Sequence, residues 1–200
     1  MGNYQKAVDL LTQAIAEDPG NPELYENRGS SYDNLGKVDE ALRDFDASYK
    51  KMVERSKDPK DKGLAEVLYN RGAVLARARR FPEALVDFEK AVEIDSDFPD
   101  VRMDMAWILA TAPEAEFRKP QKALEYVQEE IRRNGSHSPG VLDTLAAALA
   151  ATGKFEEAVL QEKTALEQAS NILQRKQYRD RLHLYQEKKP YLDTADAGQK

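Results

Sequence analysis

Side chains able to do chemistry are sparse in this 200-residue chain. There are two histidines, His137 and His183, one on an expected loop and one on the expected last helix. Neither stands in an H-x-x-x-H or histidine–acid arrangement that would ligate a metal or build a catalytic triad. Asp95, Asp97 and Asp100 suggest a calcium loop, but the glycine such a loop requires is missing and Pro99 interrupts the spacing. They read as helix-end and linker charges. The acidic pairs Glu129-Glu130 and Glu156-Glu157 are neighbours on expected helices, so their carboxylates point apart and read as solvated faces. No glycine-rich phosphate loop and no G-x-S-x-G is present. With no cysteine there is no thiolate site and no disulfide. The expectation is a chain without catalytic residues, metal or cofactor, whose chemistry is that of a contact surface.

The bulk properties point the same way. The chain is 41% hydrophobic and 33% charged, enough for a core beneath a heavily hydrated surface. Its net charge of −6 argues against general binding to nucleic acid. No apolar run approaches the roughly 18 residues of a membrane span. The start, MGNYQKAVDLL, lacks the basic region and continuous apolar core of a signal peptide. Absence of cysteine does not set the compartment.

Whatever surface exists must be positioned by helices. Between Ala65 and Asp97, Val67, Leu68 and Leu75 form one stripe near a 3.6-residue period, and Ala84, Leu85, Phe88, Ala91 and Val92 form a second. The break between them is Arg79-Arg80-Phe81-Pro82. The unit recurs. Ala7, Leu11 and Ala14 return 34 residues later as Ala41, Phe45 and Ser48. Asn27-Arg28-Gly29 returns as Asn70-Arg71-Gly72, each followed by alanine after 12 residues (Ala41, Ala84) and phenylalanine after 16 (Phe45, Phe88). Ala146 and Ala158 keep the 12-residue step. Small residues where two helices cross let the backbones approach while a larger residue opposite fills the gap.

Gly29-x-x-Tyr32, Ala41-x-x-x-Phe45 and the series Ala7, Leu11, Ala14, Pro19 carry a resemblance to the tetratricopeptide repeat (TPR) family over nearly the whole chain. The resemblance implies an all-α, right-handed α-solenoid of about ten helices, closed by a C-terminal capping helix. A single TPR domain over 1–200 is expected, divided as follows: a half repeat over 3–21, repeats over 22–56 and 65–98, a repeat over 99–134 with an inserted turn, a repeat over 138–169, a capping helix over 171–187 with Ile172, Leu173, Tyr178, Leu182 and Tyr185 on one side, and a loose tail over 188–200. A start in mid-repeat suggests a piece of a longer solenoid, with the face of Ala7, Leu10, Leu11, Ala14 and Ile15 only partly covered and meeting another molecule. The segments Ala106–Pro113, Leu142–Ala148 and Arg181–Tyr185 with Lys189-Pro190-Tyr191 further resemble carboxy-terminal TPR arrays of large bacterial multi-domain proteins.

The resemblance also implies where a partner sits: the concave face lined by the first helix of each repeat. There the sequence offers Glu23, Glu26, Asn27 and Asp33, then Glu66, Tyr69, Asn70 and Arg77, then Asp100, Met103, Asp104 and Trp107, and Asp143. Some TPR proteins grip a peptide's terminal carboxylate with lysine, asparagine and arginine. Asn27 and Asn70 match the asparagine type, but the expected basic positions are Glu26, Glu66 and Asp104, so that clamp is absent. An acidic groove favours a Lys/Arg-rich protein segment. Trp107 either anchors that partner or packs beneath the inserted turn. The expected function is a scaffold for protein–protein interaction. Two alternatives stay open: a regulatory or targeting appendage of a larger enzyme, and a structural module that self-associates.

Overall fold

The computed structural model describes residues 3–98 and 100–194. Pro99, the expected start of the fourth repeat, and residues 195–200 of the expected tail lie outside them. The chain divides into two compact units, Met1–Val101 and Arg102–Lys200. Secondary structure among the described residues is helical throughout.

Unit 1 holds α1 (Tyr4–Glu17), α2 (Pro22–Asn34), α3 (Val38–Ser56), α4 (Lys62–Arg77) and α5 (Phe81–Ile94). The helix starts follow from local chemistry. The side chains of Asn3 and Asn21 accept from the backbone N–H of Lys6 and Glu23, and Pro22 opens α2 where its missing N–H has no consequence. Asp61 accepts from Gly63 N–H at 2.9 Å, so α4 begins at Lys62, three residues before the expected Ala65. Helix α3 runs on through Tyr49, Met52 and Val53 to Ser56. Helices α2 and α3 form one hairpin and α4 and α5 another; α1 packs on α2, and α3 on α4. Ala41, Phe45, Ala84 and Phe88 are buried at these crossings. On α1 Val8 is buried and Ala7, Leu11, Ala14 and Ile15 are half-buried, a face only partly covered as expected, while Leu10 is 55% exposed.

Unit 2 holds α6 (from Val101 to Thr111), α7 (Pro120–Asn134), α8 (Pro139–Ala151), α9 (Phe155–Gln168) and α10 (Ile172–Gln186). The inserted turn between α6 and α7 is closed by Lys119 N–H donating to the Leu109 carbonyl at 2.9 Å and by Arg118 donating to the carbonyls of Ala112 and Pro113. Leu142, Ala165, Ala169 and Tyr178 form a core cluster beneath α10. On α10 itself Tyr178, Leu182 and Tyr185 are buried, but Ile172 is 88% and Leu173 65% exposed. The expected stripe therefore begins a turn too early.

One turn type recurs. Lys37 N–H donates to Tyr32 O, Arg80 to Leu75, Lys154 to Leu149 and Lys189 to Leu184, at 2.8–2.9 Å. The bond spans five residues and needs a left-handed residue just before its donor. That residue is Gly36 (φ 71°), Arg79 (φ 62°), Gly153 (φ 82°) and Lys188 (φ 56°) in turn. The first three turns launch a second helix; the fourth does not. Beyond it residues 190–194 are non-helical but packed, which corrects the expectation of a loose tail for that part.

Candidate partner-binding faces

The expected groove residues of unit 1 sit on α2 and α4, whose inner faces meet directly. Asn70 Nδ2 donates to Glu26 Oε1 at 3.0 Å, and Arg77 reaches Asp33 Oδ2 at 2.5 Å. Glu23 is held from α3 by Arg55, at 2.7 and 3.2 Å. Two of the expected acids thus carry a cation already, and the face is less negative than its composition suggests. Glu26 differs. Burial first, and then the nearby charge of Glu66, push its carboxyl up to about 7 against the bond from Asn70. Asn27 and Glu66 are exposed beside it. Tyr69 is less available than expected: its ring lies 5.8 Å from Phe88 and 5.2 Å from Phe98, at the edge of the Ala65, Leu68 and Ala91 cluster.

Further along, several expectations fail. Asp100 is exposed at φ 64°, before α6 rather than on it. Met103 is 9% exposed and packs inward. Asp143 is buried because Arg181 of α10 clasps it with two bonds, at 2.7 and 2.9 Å. Asp104 and Trp107 remain partly accessible on α6. The Trp107 ring lies 5.9 Å from Tyr191 and its face meets the Arg181 guanidinium at 5.2 Å. Asp95 and Asp97 serve the end of α5: Asp95 pairs with Lys62 at 2.9 Å and accepts from Asp97 N–H at 3.1 Å.

The structural arginines are what sequence reasoning missed. Arg28 grips Asp44 at 2.7 and 2.8 Å, and Arg71 grips Asp87 at 2.7 Å through both nitrogens. Both pairs tie the two helices of a hairpin across the same 16-residue spacing, so the repeated Asn-Arg-Gly contained the signal. Arg71 also reaches Asp46 on α3. A hollow of about 420 Å³ opens there, lined by Leu42, Asp46, Arg71, Leu75, Val86 and Asp87 among others, and no expected groove residue lines it. Arg181 had no such signal: Asp143 lies 38 residues away and Glu162, 3.7 Å from its Nε, belongs to a third helix. Among the described residues no cluster of three or more metal-ligating side chains occurs, and no helix is long and apolar enough to cross a membrane.

Comparison with known proteins agrees with this geometry. Residues 22–97 match the family described as Tetratricopeptide repeat. A FAM10 family protein of Arabidopsis thaliana is 32% identical over 96 residues, which are 48% of this chain and 20% of that protein. The chain thus spans about a fifth of the length of that curated relative. Among solved structures, a thermophilic TPR protein of Thermus thermophilus superposes with a TM-score of 0.60 at 24% identity, over 90% of each chain. YrrB, a TPR protein with an unusual peptide-binding site, gives 0.62 at 21% identity, over 89% of this chain and 84% of that one. At such identities the likeness is one of fold. The matched repeats, the hairpins and their recurring turn give residues 22–97 as tetratricopeptide repeats, and the superpositions give the chain the fold of a TPR solenoid.

Proposed function

We propose that the chain is a non-catalytic scaffold that holds a segment of a partner protein, and that in unit 1 the α2–α4 face, with Glu23, Glu26, Asn27, Asp33, Glu66 and Asn70, favours a segment carrying lysine or arginine. The observation that carries this reading is Glu26, half-buried and destabilised as an anion by its setting and by Glu66. A guest cation between the two carboxylates would relieve both. The TPR fold supports protein or peptide partners in general, and YrrB provides an example of a relative in fold with a peptide site.

The test is titration of a lysine-rich peptide against a neutral peptide of equal length. Binding of the basic peptide should be tighter at pH 8 than at pH 6, because Glu26 must ionise to attract it. It should weaken with salt, as screening over about 8 Å at physiological ionic strength requires. Glu66→Gln should cost roughly fivefold, the scale of one exposed ion pair, and Glu26→Gln should abolish the pH difference. Equal affinity for both peptides, or indifference to both substitutions, would sink the reading. A second reading, self-association, is favoured by the exposed Leu160, Ile172 and Leu173 of unit 2. Under it, light scattering should show a concentration-dependent mass that Ile172→Lys abolishes.

A further inference from the structure

Residues 190–194 follow a turn of the kind that elsewhere starts a second helix, yet the chain crosses back to α6 instead. Tyr191 lies where three aromatic and cationic groups converge. Its ring is 5.9 Å from Trp107 on α6 and 5.3 Å from the Arg181 guanidinium on α10. Tyr178, also on α10, lies 5.3 Å from the same guanidinium. The slot is rigid because Arg181 cannot swing: Asp143 on α8 holds it by two hydrogen bonds and Trp107 lies against its face. Two residues further on, Asp193 N–H donates to the Thr111 carbonyl at 2.7 Å. That carbonyl is one of the last of α6, where no later turn of helix supplies a donor. The segment therefore engages the leading helices α6 and α10 of unit 2, in the manner of a bound peptide: one aromatic side chain in a slot and one main-chain hydrogen bond.

The attachment is light. A helix of this unit is held by a whole buried stripe, whereas residues 191–193 are only half-buried and Thr194 is exposed, so the segment opens at lower free energy than the helices do. It runs as a continuation of α10, so its concentration at the slot is that of a short tether.

We propose that residues 190–194 are a built-in guest: they occupy a peptide site made by Trp107, Tyr178, Arg181 and the Thr111 carbonyl, and a partner gains that site only by displacing them. The partner that fits is an extended segment with an aromatic side chain and a free backbone N–H two residues later. The inference stands apart from the α2–α4 reading, which uses other residues in the other unit.

Trp107 is the only tryptophan of the chain and reports on the slot directly. In the full chain, Tyr191→Ser and, separately, Asp193→Pro should each release the segment, the first by removing the ring and the second by removing the N–H. Trp107 should then be quenched by acrylamide at least twice as efficiently, with the far-ultraviolet circular dichroism unchanged. A capped peptide spanning Lys189–Thr194, added to the Tyr191→Ser chain, should restore the shielding. It should act on the unaltered chain only at tenfold or higher concentration, and the same peptide with serine for tyrosine should act on neither. Unchanged quenching in both substituted chains overturns the proposal, as does a peptide that shields Trp107 equally well in both proteins. Should Tyr191→Ser lose helix, Asp193→Pro alone decides, since it leaves every buried side chain in place. The basic-peptide titration of unit 1 is untouched by these outcomes.

Discussion

A single missing carbon sets how closely α4 and α5 approach. A Cβ built on Gly72 would stand 2.7 Å from Phe88 Cε1 and 2.8 Å from Cδ1, and the Phe88 ring is fully buried and cannot retreat. In the first copy of the same tripeptide, a Cβ on Gly29 would stand 3.2 Å from the Ala41 carbonyl and 3.3 Å from the Phe45 ring. Alanine gains about 1 kcal/mol over glycine inside a helix, and overpacking costs about 1–3 kcal/mol. Gly72→Ala should therefore destabilise by about 1–2 kcal/mol, while Gly29→Ala should come out near zero, as read by urea denaturation. The repeated Asn-Arg-Gly showed that both positions need a small residue. It could not show that one contact is half an ångström tighter, because that depends on how far each phenylalanine leans across its own hairpin.

Between helices, the recurring turn gives a comparison internal to the chain. The left-handed position is glycine at 36 and 153 but arginine at 79 and lysine at 188. An L-residue with a Cβ is strained there by about 1–2 kcal/mol, offset in part by the extra freedom that glycine would give the unfolded chain. Arg79→Gly should raise stability by up to about 1 kcal/mol in a thermal melt, even though it removes the Arg79 guanidinium from its place 5.1 Å from the Phe81 ring. Arg79→Ala should not raise it, since it keeps the strain and loses the same contact. Leu35-Gly36 and Gly153 mark two of these turns in the sequence. Arg79 is silent, because only the bond from Arg80 N–H to Leu75 O reveals that the same geometry has been imposed.

Across the whole molecule, the buried acids shape the response to pH. Burial, and then the charge of Asp143, push the Glu162 carboxyl well above its ordinary value. Asp143 carries the Arg181 fork, so Glu162 is the member that keeps its proton. Glu26 is raised to about 7 in unit 1. The sign is the same for both. Below about pH 4.5 folded and unfolded forms are alike protonated; as pH climbs, the unfolded chain releases its proton first and gains, so stability falls. For Glu26 the loss is complete near pH 7, and for Glu162 it continues into the alkaline range. Glu162→Gln, which replaces a protonated carboxyl by a neutral group of the same shape, should change stability little at pH 6 and should flatten the decline in melting temperature between pH 6 and pH 9. A decline equally steep in the substituted chain would mean that Glu162 is ionised in the fold.

Periodicity and spacing determined the helices and their pairing into hairpins, and carried the resemblance to a repeat family, because each of these depends on residues within about one 34-residue unit. The character of the faces was decided only in three dimensions. Asp33 and Arg77, Glu26 and Asn70, and Asp143 and Arg181 come from different helices 38–44 residues apart, and each pairing changes what its carboxylate offers to a partner. Tyr191 reaches Trp107 across a still longer span. A stripe of apolar residues records which side of a helix is buried, but the state of a charge depends on what the rest of the fold sets beside it.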